Sequence, residues 1–205
     1  MSGEMTCPQP GLEETMSLLK STDRKRRLVA CVRLGALGRK EAVPALMEAL
    51  DDGNESVRRA AADALGTLKA REAVPRLVSM LGDPNSRTRS YAAFALGTIG
   101  DQRAVRPLIR ALARATDDHE RLSICRALGK LGSSEAVGPL LELLRHPDWI
   151  ARWDAAQALV QLKEPRAKEA LERLREDPAV PEDLRRRIPS MLRKLERRDR
   201  NGKQR

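Results

Sequence analysis

Rings are scarce in this chain. Its 205 residues include two tryptophans, one tyrosine and one phenylalanine, so any core must be built from Leu, Ala, Val and Ile. Histidine is as rare, at two, and cysteine numbers three. An odd, widely spaced set of thiols excludes a disulfide framework and a cysteine zinc site, and it points to a reducing, cytoplasmic setting. Long apolar runs are missing too: no stretch approaches the ~18 residues of a membrane helix. Met1 to Gln9 lacks the basic start and apolar stretch of a signal peptide. Alternating β-branched runs are absent, which excludes a sheet as the organising element.

What the chain has instead is a period. An alanine opens five units at Ala42, Ala73, Ala104, Ala136 and Ala167, and a leucine follows each at Leu46, Leu77, Leu108, Leu140 and Leu171. Both series step by 31, 31, 32 and 31. A glycine closes four units at Gly35, Gly66, Gly97 and Gly129, with Val160 in the fifth place. Counting atypical first and last members, about six units span residues 10–196. Repeats of this length cannot bury an apolar face alone, so they stack.

Each unit reads as two helices. In the second unit, Val43, Leu46, Met47 and Leu50 recur at helical spacing with Pro44 in the first turn, where its missing N–H is not needed. Asp51-Asp52-Gly53-Asn54 supplies turn and cap chemistry. Val57, Ala61, Ala64, Leu65 and Leu68 then form a second stripe whose alanines let helices approach closely. Gly66 lies inside that stripe and reads as a close-packing position rather than a helix end. The last unit departs from the pattern, with Pro189 interrupting the stripe of Leu184, Ile188, Met191, Leu192 and Leu195.

The unit from Glu72 through Ala73-Val74-Pro75 to Gly97 and Gly100 resembles the short HEAT-like repeat named from phycobilisome lyases. That resemblance implies an all-α, right-handed α–α superhelix of the HEAT-like or armadillo-like kind, with first helices on the convex side and second helices lining a concave groove. Members of the family include chromophore lyases, scaffolds, assembly factors and a diiron hydroxylase. The diiron relatives use several His-Glu pairs; here His119 precedes Glu120 but His146 precedes Pro147, so no metal site is expected.

Catalytic spacing is equally absent. No phosphate loop, nucleophile elbow or zinc-ligand pattern occurs, and Asp51-Asp52 and Asp117-Asp118 fall in inter-helix turns. Cys31 and Cys125 share the register of Ala62 and read as small packing residues. The expectation is therefore a chain that is not an enzyme and takes no cofactor.

The net charge of +10 gathers at the two ends and in the fourth unit. Arg24 to Arg27, the face Arg103, Arg106, Arg110 and Arg114, and the basic end Arg193 to Arg205 could all meet phosphates. Groove positions equivalent to Arg59 and Asp63 are Leu28 and Val32, Ser90 and Phe94, Leu122 and Arg126, Trp153 and Gln157. Two cations and one anion among these ten argue against a nucleic-acid backbone along the groove. A recurring arginine at Arg27, Arg58, Arg89, Arg121, Arg152 and Arg185 reads as a structural ladder between helix starts and loops, with Asp52 and Asp83 six residues before their arginines.

The four aromatics all lie at the second helices of the third and fifth units: Tyr91 with Phe94, and Trp149 with Trp153. Trp153 stands where siblings carry Arg59 and Ser90, so it is expected to project into the groove as an interface anchor. These observations give a protein-binding scaffold or assembly adaptor whose partner-binding residues are Trp153, Trp149, Tyr91, Phe94, Arg126 and Arg59, with another protein as partner. Residues 1–9 are expected as a flexible segment, 10–196 as the solenoid and 197–205 as a basic disordered tail. Two other readings stay open: nucleic-acid binding through the basic ends, in the manner of HEAT-like glycosylases, and a chromophore-lyase-like or chaperone role.

Overall fold

The computed structural model describes residues 11–202, with side chains as far as Glu196. The segment expected to be flexible, with Cys7, and residues 203–205 lie outside the described residues. The structure is all helix among the described residues. In order, these are α1 (Leu12–Ser17), α2 (Arg24–Leu37), α3 (Val43–Glu48), α4 (Glu55–Thr67), α5 (Val74–Met80), α6 (Ser86–Ile99) and α7 (Val105–Leu112). They continue as α8 (Asp118–Leu131), α9 (Val137–Leu143), α10 (Trp149–Gln161), α11 (Ala167–Glu176), α12 (Glu182–Arg185) and α13 (Ile188–Gly202).

Short and long helices alternate because the sequence caps them that way. A single 3-10 turn, as at Lys40–Ala42 and Arg71–Ala73, leads into each of α3 and α5, and proline follows in the first helical turn. The long helices are opened by Asp23, Asn54, Asn85, Asp117 and Asp148, whose side chains accept from free backbone N–H groups of the first turn. Three of them close on a glycine in the left-handed region, Gly38, Gly100 and Gly132, where an L side chain is strained. Lys69 and Lys163 occupy that same conformation in the other two units. In the last unit the chain breaks between α12 and α13, and Pro189 becomes the second residue of α13, where a proline costs no hydrogen bond.

The long helices stack in sequence, α2 on α4, α4 on α6, α6 on α8 and α8 on α10. Their contact is made by small residues. A Cβ added at Gly35 would lie 3.0 Å from the Ala64 backbone, and one at Gly97 only 2.6 Å from Ala127 Cα. The register glycines are thus close-packing positions. Leu46, Leu77, Leu108, Leu140 and Leu171 are all fully buried between the layers.

The arginine ladder ties the stack together, but in the opposite direction from the one the sequence spacing gave. Each guanidinium reaches forward to the following unit. Arg27 donates from Nε and Nη2 to Asp52 at 2.6 and 3.0 Å, and Arg58 does the same to Asp83 at 3.0 and 3.4 Å. Nη1 meanwhile holds the arginine's own loop, through the Ser21 carbonyl for Arg27 and the Asp52 carbonyl for Arg58. Arg89 takes Glu120 at 2.7 and 2.6 Å, and Arg152 takes Asp177. Among the described residues Arg185 has no such rung. The Arg27 guanidinium holds the Asp52 carboxyl below its ordinary range, as a charge-assisted pair must.

Candidate functional site

The face of the long-helix layer turned away from the short helices carries the exposed rings. In α6, Ala92, Ala93, Ala95, Leu96 and Ile99 take the packing contacts. That leaves Tyr91 and Phe94, three residues apart, on the open side, 42% and 44% exposed. Each ring has a cation over it from a neighbouring helix. The Arg59 guanidinium, on α4, lies 5.8 Å from the Tyr91 centroid, and the Lys130 ammonium, on α8, lies 4.8 Å from that of Phe94.

The two cations differ in their surroundings. Arg59 is steadied by Ser56 Oγ at 3.1 Å and by Glu55 at 3.8 Å, so its charge is largely met. Lys130 and Arg126, one turn apart on α8, are exposed and form no ion pair among the described residues. The result is a platform of two half-exposed rings with two cations, Arg126 and Lys130, that have no carboxylate partner among the described residues. Such a surface suits a flat, conjugated molecule that bears carboxylates.

The sequence reading located Tyr91, Phe94, Arg59 and Arg126 on this face and missed Lys130. The signal for Lys130 was the register itself, since it stands one turn beyond Arg126 on the groove row. Trp153 was placed wrongly. It is 5% exposed and belongs to the core. Its register position also holds Leu28 and Leu122, both half-buried, and Ser90, buried, so short or apolar side chains on this row turn into the helix–helix seam, and only the long Arg59 reaches out over Tyr91. Trp149, at the first residue of α10, is half-buried against that core.

Other sequence candidates resolve as structure. Arg103 and Arg106 are paired with Asp101 and Glu135, and Arg110 and Arg114 are exposed on the same side. Burial pushes the Cys31 thiol up to about 12 and the Cys125 thiol up as well, so neither is a ready nucleophile. No group of His, Cys, Asp and Glu among the described residues is arranged to hold a metal. No helix there is long and apolar enough to cross a membrane. A cleft of about 830 Å³ between the fifth and sixth units is rimmed by Arg145, Arg166 and Arg173, each already paired with an acid.

A family model for HEAT repeats matches residues 12–90, 51–123 and 105–192. The chain belongs to the HEAT-repeat family. Within that family it is related to phycocyanin-lyase subunits. The phycocyanobilin lyase subunit alpha of Picosynechococcus sp. (strain ATCC 27264 / PCC 7002 / PR-6) is 46% identical over 54 residues, 26% of this chain and 20% of that protein. The match therefore spans about a fifth of that curated relative. One chain from the structure of the complex of CpcE and CpcF of phycocyanin lyase from Nostoc sp. PCC7120 superposes with a TM-score of 0.72 at 31% identity, over 91% of this chain and 77% of that one. A designed armadillo repeat protein shares the fold at 21% identity and a TM-score of 0.57, over 90% of this chain and all of the other.

These likenesses overturn the expectation that this HEAT-repeat chain is not an enzyme, because both natural relatives are named as lyases or lyase subunits. The physical reason for the error is the array itself. Residues that act together come from separate helices about 31 positions apart, so no compact motif records them.

Proposed function

We propose that this HEAT-repeat chain is a subunit of a bilin-lyase-type assembly, binding an open-chain tetrapyrrole on the α4–α6–α8 face and working with a second helical-repeat chain. The observation that carries the reading is the exposed Tyr91–Phe94 pair with Arg126 and Lys130 unpaired beside it. A bilin is a conjugated chain of four rings with two propionate carboxylates. Rings stack on rings, and two cations answer two carboxylates. The relatives supply the ligand class and the idea of a two-chain assembly; the face is this chain's own.

On this reading the residues do three things. Tyr91 and Phe94 lie against the conjugated system and exclude water from it. Arg126 and Lys130 fix its orientation through the propionates. Arg59, held by Glu55 and Ser56, stiffens the Tyr91 ring. The interface anchors expected from the sequence, Tyr91, Phe94, Arg126 and Arg59, are thus reassigned to a small ligand, with Trp149 and Trp153 outside the site.

Titration of the purified chain with phycocyanobilin, followed by absorbance, tests this. A saturable spectral change is expected. The double variant Tyr91→Ala, Phe94→Ala should weaken it at least ~10-fold, about 1.4 kcal/mol, with the helical circular dichroism unchanged. Unaltered binding by that variant, or no spectral change with the wild-type chain, would overturn the reading.

A further inference from the structure

Each ladder arginine takes a single carboxylate of the following unit except at one junction. Where Asp52, Asp83 and Asp177 stand in their units, the fifth unit has His146, whose Nδ1 accepts from the Asp148 N–H at 3.1 Å. Arg121 consequently has no loop carboxylate to take side-on. Its Nη2 turns to Asp118 on its own helix and to Asp148, the cap of α10, at 3.2 Å. That leaves Nε, the atom that Arg27, Arg58 and Arg89 use in their rungs, buried and without a hydrogen bond.

Facing it is a second orphan. Asp154, on α10, is 3% exposed, and its Oδ2 is likewise buried without a partner. The two atoms are 4.0 Å apart, just beyond hydrogen-bonding reach. Buried polar atoms are rarely left unpaired, and an ionised carboxylate in this setting would draw the nearest guanidinium N–H onto itself. A neutral carboxyl would not.

We infer that Arg121 is a partner-exchange switch at the junction of the fourth and fifth units. With Asp154 neutral, Arg121 serves Asp118 and Asp148 as seen here. When Asp154 releases its proton to solvent, Nε closes onto Oδ2 and the bond to Asp148, the only link from Arg121 to the α10 cap, is given up. The inference concerns the joint between α8 and α10 and does not depend on what the neighbouring face binds.

The groups acting on Asp154 agree with this. Burial raises its pKa first, Arg121 and then Arg126 oppose, and Asp118 and Asp148 reinforce, leaving it at about 7 against an ordinary 3.8. Cys125, buried on α8, also lies within its field. None of the acting groups comes from α9, α11 or α13, which bring Leu140, Leu171, Leu174, Ile188, Met191 and Leu195 to the shared core. The sign follows from the folded pKa exceeding the unfolded one. The native state holds the extra proton between the two values, so the Asp154 contribution to stability is greatest in acid, falls as pH rises through that window and levels off above about 7.

Nuclear magnetic resonance of the full chain from pH 5 to 9 tests the switch. The Asp154 carboxyl carbon should titrate near 7, and the Arg121 Nε–H resonance should shift with the same midpoint. In Asp154→Asn the Nε–H signal should stay still, and the fall in denaturant midpoint between pH 5 and 8 should vanish. Asp154 titrating in the acid range, or titrating while Nε–H does not move, overturns the inference. Assignment through the wild-type backbone keeps the result decisive should the variant not fold.

Discussion

The junction between the second and third units and that between the fourth and fifth are built from the same parts put to different use. At the first, Arg58 closes side-on upon Asp83, Gly66 lets α6 come close at Ala95, and the groove row is ordinary. At the second, His146 replaces the loop acid and Arg121 is left with a divided set of carboxylates. At the junction between these two, where Arg114 stands in place of the loop acid, Arg89 is rescued by Glu120, which occupies the buried register of Val57 and Thr88. Repetition thus fixes the stack, while departures from it concentrate around α8, the helix that also carries Arg126 and Lys130.

The largest test of this contrast is Trp153→Ala. Siblings tolerate Ser90 at the same register, yet Trp153 fills the core of the irregular junction at 5% exposure. Its loss should cost about 4 kcal/mol of unfolding free energy, whereas Phe94→Ala, exposed on the regular side, should leave the denaturant midpoint nearly unchanged. Equal effects would mean that the two rings have equivalent surroundings.

Next comes the rung itself. Arg58→Ala strands Asp83, whose side chain is only 10% exposed. Breaking such a pair should cost about 2 kcal/mol, the full buried-pair penalty being reduced by the remaining solvent. Arg76→Ala removes a pair of similar length, 2.6 Å to Asp51, but with side chains 42% and 70% exposed it should cost almost nothing. Urea unfolding of both variants compares them directly.

The fold was legible because its information is periodic: the cap residues, the short first helices and the break before Pro189 all follow from local spacing. Features that depend on a neighbouring unit were not. The forward direction of the ladder is one, since Asp83 is 25 residues beyond Arg58 yet beside it in the stack. Trp153 is another, because a register row that alternates Leu28, Arg59, Ser90, Leu122 and Trp153 does not say which way it faces. Lys130 gains its meaning only from the Phe94 ring on the next helix. The Arg121–Asp154 gap, a matter of one ångström, leaves no trace in sequence.

The smallest predicted effect separates the α6–α8 and α8–α10 junctions most finely, since it uses one substitution at equivalent positions. At Gly97 an added Cβ meets the Ala127 backbone at 2.6 Å, and backbone cannot swing aside. Gly97→Ala should therefore destabilise by about 1–2 kcal/mol, overpacking outweighing the gain in helix propensity. At Gly129 the obstacle is the side chain of Gln161, which is exposed and free to turn. There the propensity gain of up to ~1 kcal/mol should prevail, and Gly129→Ala should raise the melting temperature by a few degrees. A loss at Gly129 matching that at Gly97 would show α8 and α10 to be as tightly apposed as α6 and α8, leaving the irregular junction no slack in which Arg121 could exchange partners.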